Sequence, residues 1–269
     1  DTCGATVSVS ATTADNCNVG AATGVRSDNL ALGDLYPVGT TTITWNVNDD
    51  SGNPAVEVTQ TIIVTDNQLP VITHSGNESV NTDLNTCGAS VTVSASTSDN
   101  CTVGAATGVR SDGLALNDLY PVGTTTIAWN VTDENNNAAV EVIQTIVITD
   151  NQLPVITHSG NESVNTDADT CGATVSVSAT TADNCNVAAA AGVRSDGLAL
   201  GDLYPVGTTT IAWNVSDDSD NAAAEVTQTV IVSDNQNPNA TAQNITVQLD
   251  ATGNVSITPG AIDDGYNDA

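Results

Sequence analysis

The chain repeats itself at one fixed period, and this period constrains its fold more than any other feature. Trp45, Trp129 and Trp213 stand 84 apart, as do Arg26, Arg110 and Arg194 and the cysteine pairs Cys3/Cys17, Cys87/Cys101 and Cys171/Cys185. The string DNQLP at 66–70 returns at 150–154 and, as DNQNP, at 234–238. Such self-similarity sets the architecture before any single residue is read. Cuts at Asp66, Asp150 and Asp234 give an N-terminally incomplete first copy (1–65), two complete copies (66–149 and 150–233) and the start of a fourth (234–269) that diverges from about Thr241.

Within a copy the pattern is β. Val91, Val93 and Ala95 alternate with Thr92, Ser94 and Ser96, and Ile127, Trp129 and Val131 alternate with Ala128 and Asn130, the period of a half-buried strand. A closing strand is expected over 140–149, with its alternation shifting phase near Gln144 as a bulge would make it. Tyr120-Pro121-Val122-Gly123 and the run 133–137 mark turns. With aromatics at 3% of the chain, each core needs one large anchor, which the three Trp supply. The fold class is therefore all-β: about seven strands per copy, in tandem immunoglobulin-like β-sandwiches arranged end to end as a rod. Pro70, Pro154 and Pro238 stiffen the connections.

Charge narrows the partners. The chain carries 32 acidic residues against 3 basic ones, no Lys, and a formal net charge of −29. Such a surface repels phosphate backbones and anionic lipids, so neither nucleic-acid binding nor membrane insertion is expected. No apolar run approaches the ~18 residues that span a bilayer, and the absence of Met suggests a window from something longer. Catalysis is not expected either, since no nucleophile elbow or phosphate-cradling glycine motif occurs. His74 and His158 are expected at a strand edge or on the surface. Each Arg is expected to pair with the Asp two residues on, or with Glu57, Glu141 or Glu225.

The segment Tyr120-Pro121-Val122-Gly123-Thr124-Thr125, then Trp129, Asp133, Asn137, the closing Val-Ile-Thr-Asp and the Asp-Asn-Cys at 99–101 together resemble the hyalin repeat (HYR) family of immunoglobulin-like extracellular modules. Long acidic arrays of such units resemble giant surface adhesins of Bacteroidota, including those of gliding cells. The resemblance implies extracellular, cell-surface adhesion or spacing and names no ligand. One departure is clear: where the family commonly places a cysteine pair, this chain has His74/His158 and approximately Val142/Val226.

Six cysteines without a CxxC read as disulfides rather than a zinc or redox site. Two pairings stay open. Cys87 could close on Cys101 within a copy, but an extended strand over 88–95 separates its ends by ~25 Å, while a disulfide needs Cα atoms within ~7 Å. Alternatively Cys3–Cys101 and Cys87–Cys185 staple consecutive copies, with Cys17 and Cys171 bonding elsewhere. The same topology brings acidic loops to the junctions: Asp34, Asp66, Asp99, Asp133 and Glu134 at the first, and Asp83, Asp118, Asp150, Asp183, Asp217 and Asp218 at the second. These read either as solvated turns or as ligands for Ca²⁺, which takes six to eight oxygens; no other cofactor is implied. The functional reading is a structural stalk that bears force and presents a distal binding element, its immediate partners being other copies in the same long chain. The alternatives are multivalent weak binding of polysaccharide, a host surface or sister filaments by the repeats themselves, and a spacer within a secreted enzyme.

Overall fold

A computed structural model describes residues 2–238 and 244–258. The start of a fourth copy, expected over 234–269, thus lies partly outside the described residues. The chain forms two compact units, Asp1–Asn81 with Gly88–Thr149, and Thr82–Cys87 with Asp150–Ala269. Among the described residues every regular element is a strand, and no helix is long and apolar enough to cross a membrane.

The complete copy in the first unit is an immunoglobulin-like sandwich. One sheet runs Thr107–Arg110, Gly123–Asn130, Val142–Thr149, Glu78–Asn81, the last pair parallel and the others antiparallel. The opposite face is built from two short ladders, Val71–His74 with Ala95–Ser98 and Gly88–Ala89 with Tyr120–Pro121. Eight strand segments replace the expected seven because the opening strand leaves one sheet at His74 and joins the other at Glu78. Gly76, at φ 115°, makes that crossing in a backbone region that other residues rarely adopt.

Period-two alternation puts Ile127, Trp129, Ile146 and Ile148 inward, where they join Ile72, Ala89 and Tyr120 in one buried cluster, with Val91, Val93 and Ala95 packed against it. Gly108 lies opposite Trp129, and a Cβ there would meet the indole at 2.9 Å, so the ring needs a bare backbone beneath it. The expected bulge near Gln144 is absent: Val142–Ile148 pairs with Gly123–Trp129 residue for residue. The phase never shifts because Gln144 points inward and is fully buried. It accepts from Trp129 Nε1 at 3.0 Å and donates to the Gly76 carbonyl and Ser75 Oγ, which satisfies a polar group in an apolar core.

The second unit contains the same sandwich. Glu162–Asn165 pairs parallel to Val226–Ser233, and Gly207–Asn214 and Ala191–Arg194 complete that sheet. Its core is Ile156, Ala173, Tyr204, Ile211, Trp213, Val230 and Val232.

Among its described residues the first copy carries the strands Gly4–Ala5, Thr23–Arg26, Tyr36–Pro37, Gly39–Asn46 and Val58–Val64. Residues 11–14, equivalent to Ala95–Ser98, have no ladder partner. An open groove of about 510 Å³ lies there, lined by Ala11, Thr13, Trp45, Pro54 and Val58 among others. Gln60, Ile62 and Val64 are only half-buried, whereas Gln144, Ile146 and Ile148 are buried.

Candidate functional site

Two disulfides are present among the described residues. Cys3 bonds to Cys101 and Cys87 to Cys185, with Cα atoms 4.6 and 4.7 Å apart and a sequence separation of 98 in each case. Each bond joins the loop before the second strand pair of one copy to the Asp-Asn-Cys turn of the next. The within-copy pairing of Cys87 with Cys101 does not occur. Cys17 and Cys171 are free and exposed.

Acidic side chains collect beside each disulfide. In the second unit, carboxylate oxygens of Asp150, Asp183 and Asp217 lie within 4.8 Å of one another. Three elements converge to place them: the Asp-Asn-Gln-Leu-Pro connection, the Asp183-Asn184-Cys185 turn and the turn over 217–221. Asp183 accepts from the Cys185 N–H at 3.0 Å. Asp217 is buried and accepts from the N–H groups of Ser219 and Asn221. Asn221 donates onward both to Asp217 and to the Asp150 carbonyl, tying two elements together. Asp150, only 3% exposed, accepts at Oδ1 from Thr82, Asn184 and the Gln152 N–H.

The first unit repeats the arrangement. Asp66 and Asp99 approach within 4.8 Å, with Cys101 Sγ beside them, but that sulfur is in a disulfide and offers no thiolate. Asn137 bridges Asp133 to the Asp66 carbonyl, and Asn100 donates to Asp66 Oδ1. Hydrogen bonds from Asn137 hold the Asp133 carboxyl below its usual range, against the opposing and largest influence, desolvation, and Asp217 behaves alike. Ionised carboxylates under 5 Å apart repel by roughly 3–4 kcal/mol per pair at an effective dielectric near 20. No Lys exists to offset this, and all three Arg are engaged elsewhere.

That engagement is the third recurring feature. Arg110 is 2% exposed and stacks on the Tyr120 ring at 3.7 Å. All five of its N–H groups find acceptors: both Asp112 oxygens and the carbonyls of Ala115, Asp118 and Leu119. One guanidinium thus shapes the loop 111–119, and Arg26 and Arg194 do the same in their copies. Of the two partners expected, Asp28, Asp112 and Asp196 are used. Glu141 and Glu225 instead accept from Asn130 and Asn214.

The remaining acidic candidates lie apart from the clusters. Asp34 and Asp118 belong to the arginine loops, where each accepts from a backbone N–H. Glu134 and Asp218 are exposed, Asp218 accepting from Asn186, and Asp83 is exposed with its carbonyl turned to Gln152. His74 and His158 end edge strands, and each Nδ1 accepts a backbone N–H from Gly76 or Gly160. Thr82, Asn184 and Asn221 are not singled out by the sequence, and Asn100 and Asn137 enter there only through the family resemblance. The recurring Asp-Asn-Cys string was the available signal.

The segment that holds the second cluster and its sandwich also has a recognisable sequence. Residues 149–232 match the HYR domain. This HYR match covers the third copy almost end to end. Two curated relatives support the same family: hyalin of Strongylocentrotus purpuratus, 28% identical over 206 residues, and hyalin of Lytechinus variegatus, 28% identical over 203. Those alignments take in 75% and 74% of this chain, and 17% and 37% of the relatives, so the chain spans well under half the length of either hyalin. Among solved structures, fibronectin(III)-like modules of Clostridium thermocellum CbhA align at 14% identity, covering 61% of this chain and 95% of theirs, with a TM-score of 0.27. Drosophila N-cadherin EC1-3 aligns at 12% identity, covering 87% and 94%, with a TM-score of 0.31.

Proposed function

We propose that this chain is a load-bearing spacer of HYR-type repeats in a large extracellular, surface-attached adhesin of the kind Bacteroidota carry, holding a distal binding element away from its anchor. Its role is mechanical and non-catalytic, and its nearest partners are further copies of the same unit.

The interleaved disulfides carry this reading. Cys87 precedes Cys101 in sequence, so the bond from Cys3 enters beyond the bond to Cys185. Tension applied along the chain passes from Cys3 to Cys101, back along the backbone to Cys87, and across to Cys185. The loaded path between Cys3 and Cys185 therefore holds only the stretch 87–101, and the rest of 3–185 is shielded from the pull. Even with every sandwich unfolded, the bridged stretch extends by ~50 Å instead of several hundred, at ~3.5 Å per residue. A spacer that keeps its length under pull is what such a ladder provides. A ladder of this kind also needs an oxidising compartment, which supports the extracellular location.

Single-molecule stretching of the chain from its two ends tests the proposal. Reduction should add about 590 Å of contour length, as the stretches 3–87 and 101–185 return to the load path at ~3.5 Å per residue. Equal contour lengths in oxidised and reduced forms would refute it.

A further inference from the structure

We propose that each acidic cluster beside a disulfide is a Ca²⁺ site, with Asp150, Asp183, Asn184 and Asp217 as protein ligands in the second unit and Asp66, Asp99 and Asn100 in the first.

Five buried side-chain oxygens or nitrogens among the described residues have no hydrogen-bond partner, and all five are oxygens at these two places: Asp66 Oδ2, Asp99 Oδ1, Asn100 Oδ1, Asp150 Oδ2 and Asn184 Oδ1. Native structures rarely strand a buried polar atom, and a bound ion is among the few explanations when they do. Here every stranded atom is an acceptor and none is a donor. A cation satisfies that set; in the first unit a water, with two hydrogens, would leave one of three stranded oxygens unpaired, and in the second it would leave the repulsion among the converging carboxylates uncompensated. Asp150 makes the point at a single residue: Oδ1 takes three donors while Oδ2, on a side chain all but sealed from solvent, takes none. Asn184 is turned the same way, its amide nitrogen spent on Thr82, Thr86 and Asp150, and its oxygen left over.

Geometry and chemistry then select the ion. Two oxygens on one Ca²⁺ at 2.3–2.6 Å can stand at most about 5.2 Å apart. The Asp150, Asp183 and Asp217 oxygens meet that limit, all lying within 4.8 Å of one another. Mg²⁺ demands a near-ideal octahedron and sheds its waters reluctantly, which suits a set of protein oxygens drawn from three loops less well. Zinc would favour nitrogen or thiolate, and the Cys101 sulfur beside the first cluster is tied up in a disulfide, while the second cluster is all carboxylate. Carboxylates with a carboxamide oxygen, and no Lys in the chain to compete, suit a hard cation of flexible coordination. The inference does not depend on the spacer reading, since it rests on the orphaned oxygens and the convergence of the carboxylates around them.

The oxidised chain, stripped with chelator and titrated with CaCl₂ by calorimetry, should bind two ions with affinity near the ~10⁻⁴–10⁻³ M of extracellular modules. Asp150→Asn and Asp66→Asn, which keep side-chain shape and the Oδ1 acceptor, should each abolish one of the two, weakening that site at least tenfold. Thermal melts of the unaltered chain provide a readout free of any variant: about 5 mM Ca²⁺ should raise the transition, and the same Mg²⁺ should raise it less. No heat of binding together with an unmoved melt would overturn the proposal. So would two sites retained in both variants with intact disulfides.

Discussion

Gln144 shows how one side chain can defeat a hydrophobic pattern. Counted as polar, it breaks the alternation of the closing strand and suggests a bulge. In the sandwich it faces inward and supplies the acceptor for the Trp129 indole N–H. Gln144→Ala should therefore cost about 1–3 kcal/mol in urea unfolding, the range for stranding a buried donor. Gln60→Ala should cost less, because Gln60 is only half-buried. The arginines make a second case. Their hydrogen bonds hold Asp28, Asp112 and Asp196 below the ordinary carboxyl value of 3.8. A depressed pKa contributes stability that is full above that value and is lost as pH falls below it toward the folded-state value. Denaturation midpoints in chelator should consequently fall below about pH 4, and Asp112→Asn should flatten part of that fall. Arg110→Met, which strands three carbonyls and a carboxylate, should lower the melting temperature more than Ile127→Val does.

At the scale of elements, the first copy has five strand segments among the described residues where the second has eight. Ala95–Ser98 has Val71–His74 alongside, while residues 11–14 have nothing paired to them and border the open groove. Near-identical sequence thus gives different protection. Backbone amides at 11–14 should exchange roughly 100-fold faster than those at 95–98, the difference between an unpaired edge and a ladder. A synthetic peptide with the sequence of residues 66–81 should slow that exchange by adding the missing strand. Exchange at 11–14 that matches 95–98 in the free chain would show that the pairing contributes no protection.

For the molecule as a whole, covalent connectivity matters more than core size. Sandwiches this small, with one Trp each, have modest cores, and small domains commonly depend on crosslinks. Each 98-residue disulfide loop should add about 2–4 kcal/mol, so Cys87→Ser with Cys185→Ser should lower the urea midpoint of the second unit accordingly. Cys17 and Cys171 occupy the positions equivalent to Cys101 and Cys87, one on each side of the bond that the copies use. Mild oxidation of the purified chain should then give a ladder of disulfide-linked multimers on non-reducing gels. Cys17→Ser should stop that ladder at the dimer.

Much of this was legible without coordinates. The repeat period, the strand faces around Trp129 and Val91, and the pairing of each Arg with the Asp two residues on are local matters. Alternation reports which way a side chain points, and an Arg with an Asp two residues away need not look far. Other features depended on residues far apart in sequence. Gln144 goes inward because Gly76 and Ser75, far earlier in the chain, await its amide. Cys87 bonds Cys185 and not Cys101 because an extended run between the nearer pair keeps them apart, while two loops 98 residues distant are brought to 4.7 Å. Of the acidic candidates spread along three copies, folding gathered a few around buried oxygens and left the rest to loops. Composition could count those charges, but only the meeting of distant turns determined which of them share a site.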